Sequence, residues 1–144
     1  MKPVRRIVCA DGPDGKSRAI ADGPAPDVRT DPARPGFSST FIWATDATPA
    51  RIDGDPPHVV APPPGGSLCR ILAFPPERAL RAMQETRTLD FCLILQGEIT
   101  LVLDTEEVEL RAGDTVVQRG TRHAWSNRSS RPCVIAISSH DATT

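Results

Sequence analysis

The chain has 144 residues, a length suited to one domain around one hydrophobic core. Lys and Arg number 17 against 18 Asp and Glu, a net charge of −1, so no basic face for nucleic acid is expected. No apolar run approaches the roughly 18–20 residues of a membrane span, and the short apolar run near the start is no signal peptide, so the expected setting is the cytoplasm, away from membrane.

Residues 1–64 hold 12 of the 15 prolines and no Glu, and Asp, Pro and Gly are turn residues. Three short strands are expected between the turns, at Val4–Cys9, Ser17–Ala21 and Ser38–Thr45. The last, SSTFIWAT, combines β-branched and aromatic residues. The segment reads either as a disordered arm or as an ordered wrapper that adds strands to a sheet edge or a partner subunit. Phe41, Ile42 and Trp43 favour the wrapper, because leaving them in water is costly.

APPPGG at 61–66 breaks strand pairing, and SLCRILAF at 67–74 reads as a buried strand. Residues 75–83, PPERALRAM, read either as the start of a helical turn or as a loop. From Thr88 the period is two. Thr88, Asp90, Cys92 and Ile94 share one face, and Leu89, Phe91, Leu93 and Leu95 share the other. Short alternating runs then follow, separated by turns at Asp104–Glu106, Ala112–Asp114 and 127–132. Many short strands at regular spacing predict an all-β sandwich or barrel. The tail, 140–144, reads as mobile.

Cys9, Cys69, Cys92 and Cys133 form no CxxC pair, which argues against zinc knuckles and redox dithiols. Cys69, Cys92 and Cys133, in apolar strand-like runs, read as small buried apolar groups, with a nucleophilic Cys92 as the sharper alternative. Tyr is absent, so no tyrosine serves as a general acid.

Gly113, Gly120, His123 and Asn127 follow the spacing Gly, six residues, Gly, two residues, His, three residues, Asn. Asp90 and Gly97 follow acid, six residues, Gly. In these two motifs the chain resembles the cupin superfamily, over roughly residues 66–139. The resemblance implies a double-stranded β-helix, or jelly-roll barrel. Residues 1–65 would be the wrapper that adds strands to the barrel edge, 66–139 the barrel core, and 140–144 the tail. It also implies a homodimer, since small cupins of this kind commonly pair through N-terminal strands.

In cupins a metal ion sits inside the barrel, held by two histidines and a glutamate of the first motif and one histidine of the second. Here the acid position holds Asp90 and the second-motif histidine is His123. The paired histidines would fall at Gln84 and Thr86, or in the longer spacing at Met83 and Glu85. A transition-metal site wants at least three good ligands. The expectation is therefore no cofactor, with a divalent metal on Asp90, His123 and Gln84 as the alternative.

A carboxylate and an imidazole facing one cavity can do acid–base work near neutral pH. The resemblance and these two groups point to a metal-independent lyase or isomerase. It would dehydrate, decarboxylate or cyclise a small organic acid or polyketide-like molecule. A non-catalytic binding or sensing module and a metal-dependent enzyme are the alternatives. His123 and Asp90 are the catalytic candidates, and Gln84, Thr86, Thr88, Gln118, Trp125 and Trp43 the substrate-binding ones. In the structural alternative, Asp90 and His123 only tie strands together. Arg87 and Arg122 flank the motifs, while His58 and His140 read as surface residues.

Overall fold

The computed structural model describes residues 2–143. Eleven strands follow one another, with no helix among the described residues. They are β1 (Arg5–Asp11), β2 (Ser17–Pro24), β3 (Val28–Thr30), β4 (Ser38–Thr45), β5 (Ser67–Phe74), β6 (Thr88–Gln96), β7 (Glu98–Val102), β8 (Glu107–Arg111), β9 (Thr115–Arg119), β10 (Ala124–Ser126) and β11 (Cys133–Asp141). The main sheet has the order β3-β4-β5-β11-β6-β9, and a smaller one the order β10-β7-β8. Every pairing between named strands is antiparallel.

The barrel closes where the two sheets face each other. Leu72 and Phe74 of β5, Ile94 of β6 and Ile135 and Ile137 of β11 meet Ile99 and Leu101 of β7 and Leu110 of β8 in one apolar core. The period of two in β6 decides which residues enter it. Asp90, Cys92 and Ile94 are buried, and Phe91, Leu93 and Leu95 are exposed on the outer face.

Tight turns connect these strands. Between β6 and β7, Gly97 has φ +80°, and a Cβ there would stand 2.5 Å from the Pro132 carbonyl oxygen. Only glycine meets both conditions without strain.

The N-terminal strands do extend the barrel sheet. β4 pairs along β5, and β3 lies on the edge beyond it. β1 and β2 form a separate hairpin. It is tied back by the Ala25 amide donating to the Val4 carbonyl (2.8 Å) and by Arg6 donating to the Ile42 carbonyl (3.1 Å).

One open alternative is decided and one expectation changes. Of the two readings of the segment after β5 the loop holds, with no helical turn over 75–87: Pro75 and Pro76 supply no amide donors, and Glu77 instead donates its amide to the Asn127 carbonyl at 2.9 Å. β11 runs on through His140 and Asp141, paired with Leu89 and Thr88, so His140 belongs to a strand and not to the tail. Its ring lies 5.0 Å from that of Phe91.

Candidate functional site

The inner face of the main sheet places polar groups in cross-strand rows. One row holds Leu68, Ser139, Asp90 and Gln118, and the next holds Arg70, Ile137, Cys92 and Val116. Asp90 and Arg70 therefore face the same interior from β6 and β5, with β11 between them. The 75–87 loop crosses above, and its Gln84 forms a two-bond bridge with His123: each backbone amide donates to the other's carbonyl, at 2.7 and 2.8 Å. Loop and second motif thus close the barrel end together.

Beneath them lies a cavity of about 470 Å³, within the size range of ligand sites. Its polar wall is made by Arg70, Gln84, Thr86, Asp90 and His123, and its apolar wall includes Leu72, Phe74, Cys92, Trp125 and Ile137. Of the residues expected from the sequence, His123, Asp90, Gln84, Thr86 and Trp125 come together here. Trp43 does not: it lies beside the β1–β2 hairpin, with the Arg6 guanidinium 5.8 Å from its ring. Thr88 pairs with Asp141 at the strand end and stays outside the cavity wall. Gln118 is fully buried next to Asp90 across the β6–β9 pair but does not line the cavity. Asn127 ties the loop after β10 to β5, its amide donating to the carbonyls of Phe74 (3.0 Å) and, within the loop, Arg131 (2.8 Å).

His123 is 5 % exposed, and its Nδ1 stands 2.7 Å from the Thr121 carbonyl oxygen. A carbonyl only accepts, so the neutral ring carries its proton on Nδ1 and keeps the Nε2 lone pair. The ring meets Trp125 edge to face at 5.9 Å. Asp90 is 7 % exposed, and its Oδ1 is buried without a hydrogen-bond partner. So are the Arg70 Nε, the Thr86 Oγ1 and the Gln118 Nε2. Buried polar atoms are normally paired, so four orphans in and around one cavity make it the candidate site.

Arg70 is the residue sequence reasoning passed over. Burial holds its guanidinium below the usual arginine range, and the Asp90 charge opposes that shift. Its phase, shared with Leu68, Leu72 and Phe74, is the signal that could have found it. Two further arginines reach the cavity mouth. Arg34 sits 4.5 Å from the Phe37 ring and 5.4 Å from the Phe74 ring, and both Arg34 and Arg81 are ion-paired to Glu77. Burial alone would raise the Glu77 carboxyl, but the bonds from Arg81 and Arg34 outweigh it and hold it below the usual carboxylate range.

The Cys92 thiol lines the cavity but is no nucleophile. Burial, with the nearby Asp90 charge, pushes it up to about 12, so it stays protonated at neutral pH. Among the described residues, no group of three or more His, Cys, Asp or Glu side chains is arranged to hold a metal ion. The donor chemistry agrees: apart from the exposed Asp31 at the rim, one carboxylate and one imidazole share the wall with a fixed guanidinium charge that repels a cation. These residues do not fit the metal centre that the barrel type implies.

Residues 71–139 match the family model described as "Cupin domain" (Cupin_2). The "Phomopsin biosynthesis cluster protein C'" of Diaporthe leptostromiformis is 48 % identical over 67 residues, covering 46 % of this chain and 35 % of that protein. The "Cupin-domain-containing oxidoreductase virC" of Hypocrea virens is 34 % identical over 97 residues, covering 62 % of this chain and 50 % of that protein. The chain thus spans 35 % of the one and 50 % of the other of these curated relatives. The solved cupin domain of Schizosaccharomyces pombe Cnp3 superposes with a TM-score of 0.59 at 8 % identity, over 95 % of this chain and 87 % of that one, and shares the fold. Two facing antiparallel sheets, a motif glycine and histidine at the barrel end and the family match show that residues 71–139 are a cupin domain, within a chain that has the cupin fold.

Proposed function

We propose that the cavity is the active site of a metal-independent lyase or isomerase working on a small organic molecule by acid–base chemistry. The state of His123 carries this reading: a buried imidazole with its proton fixed on Nδ1 and a basic Nε2, in the wall of a cavity that also holds Asp90. Nε2 takes a proton from the carbon next to a carbonyl. The C–H electron pair forms the new C=C bond, and the carbonyl pair moves onto oxygen. The enolate then reforms the carbonyl and expels a β-hydroxyl, which leaves as water with the proton returned from Nε2. If the proton returns to another carbon instead, the product is an isomer. Asp90 stabilises the imidazolium by its charge and accepts a hydrogen bond from the substrate. The apolar wall, with Trp125, excludes water and packs on the substrate body.

The names of two relatives, both from D. leptostromiformis and both assigned to phomopsin biosynthesis, support small-molecule chemistry. The word oxidoreductase in the H. virens name favours a second reading, a redox reaction in the same cavity with an electron acceptor held beside the substrate.

His123→Gln is expected to lower turnover of an identified hydroxy-carbonyl substrate about 10²- to 10⁴-fold with the fold intact by circular dichroism. Unchanged turnover would remove His123 from the reaction. Elemental analysis of the purified protein addresses the other half, since a stoichiometric transition metal would replace this mechanism.

A further inference from the structure

We propose that Arg70 and Asp90 together select the ligand: it carries a carbonyl oxygen for Arg70 and a hydroxyl for Asp90, on an apolar, planar body. The selection names the substrate class of the site just described and rests on that acid–base reading.

Geometry comes first. Arg70 and Asp90 lie two strands apart in the order β5-β11-β6, so their strand axes are about 10 Å apart. They also stand one inward row apart, since Arg70 shares its row with Ile137 and Cys92, and Asp90 with Ser139. Both line the same cavity, yet no ion pair joins them among the described residues. Instead each keeps one buried atom without a partner: Nε, which only donates, and Oδ1, which only accepts.

The chemistry of the occupant follows from that pair. A carbonyl oxygen accepts from the Arg70 guanidinium, and a hydroxyl donates to the Asp90 carboxylate. Thr86, whose Oγ1 is also an orphan in this wall, serves either group. The body between the two groups lies among Phe74, Trp125 and Leu72, which suits a flat apolar skeleton. A purely apolar ligand would leave both charges desolvated and unpaired, a large penalty. A cation would meet Arg70.

The selection also fits the acid–base step. When the substrate proton leaves, negative charge gathers on the carbonyl oxygen, where the Arg70 N–H groups stabilise it more strongly than the neutral carbonyl. Asp90 holds the hydroxyl. Arg70 is thus a substrate-binding residue that becomes more favourable as the enolate forms.

The test uses the intact chain and three matched probes followed by nuclear magnetic resonance titration. They are 3-hydroxyacetophenone, 3-methoxyacetophenone, which lacks the donor, and 3-ethylphenol, which lacks the acceptor. The expected result is binding of 3-hydroxyacetophenone at least about tenfold tighter than either of the others. Arg70→Met should abolish its advantage over 3-ethylphenol, and Asp90→Asn its advantage over 3-methoxyacetophenone. Equal binding of all three probes, or no saturable binding of 3-hydroxyacetophenone at millimolar concentration, overturns the selection. The comparison among probes is made on the unaltered protein, so a variant that fails to fold does not decide it. Binding is read without turnover: a His123→Gln protein that keeps the probe preference but not activity supports both readings. Loss of the preference with activity intact ends the selection alone, and activity surviving His123→Gln ends the acid–base role alone.

Discussion

Single residues set the chemistry of this barrel through their phase on a strand. In the neutral ring of His123 a single carbonyl, that of Thr121, holds the proton on Nδ1, and burial beside Asp90 keeps the Cys92 thiol protonated. Gly97 shows the same dependence in the backbone. Its φ of +80° and the 2.5 Å approach to Pro132 leave no room for a Cβ. Gly97→Ala should therefore cost about 1–3 kcal/mol in chemical denaturation. A variant as stable as the parent would mean that the β6–β7 turn can relax.

At the scale of elements, the 75–87 loop decides how the cavity closes. Glu77 holds Arg34 and Arg81 at the mouth, and these three side chains join the loop to the segment before β4. The Glu77 carboxyl is held below its ordinary value, so its contribution to stability is complete above the unfolded carboxylate pKa. It fades as pH falls through the lower folded value. Glu77→Gln should lower stability by about 1–3 kcal/mol at pH 7 and by less near pH 3, measured by urea unfolding at both. An equal loss at both pH values would place the effect in packing and not in charge.

Most of the elements were legible in the sequence. The period of two in TLDFCLIL correctly divides inward Asp90, Cys92 and Ile94 from outward Phe91, Leu93 and Leu95, and SSTFIWAT is the strand its composition predicts. The site was legible in part. His123 and Asp90 are carried by spacing, and Gln84 and Thr86 by their distance from Asp90. Arg70 was hidden because SLCRILAF reads as a continuously buried strand, and one charge in it looks like an interruption. Trp43 misled for the opposite reason: an aromatic in an apolar strand can face either side, and only the pairing with β5 decides. The four-residue spacing of Glu77 and Arg81 is visible in the sequence, but Arg34 joins Glu77 across 43 residues, a distance at which no local pattern speaks.

The whole molecule leaves an apolar strip uncovered. Phe91, Leu93 and Leu95 on β6 and Val117 on β9 are between 43 % and 59 % exposed, and the β1–β2 hairpin at the other end of the chain's fold exposes Ile7 and Ile20 at 48 % and 59 %. Two unpartnered apolar surfaces on one chain suit a two-fold pair, in which each copy covers the other's strip. We propose a homodimer on this ground. Analytical ultracentrifugation should show a dimer at micromolar concentration, and Leu93→Asp with Val117→Asp should shift it to monomer. A monomer at every concentration tested would assign the strip to some other partner.

Arg70 also constrains what this barrel can hold. Placing histidines at positions 84 and 86 would restore imidazoles to the wall, yet the guanidinium would still stand among them. Two histidines alone would therefore not turn this wall into an ion-gripping one: the charge at position 70 would have to go as well.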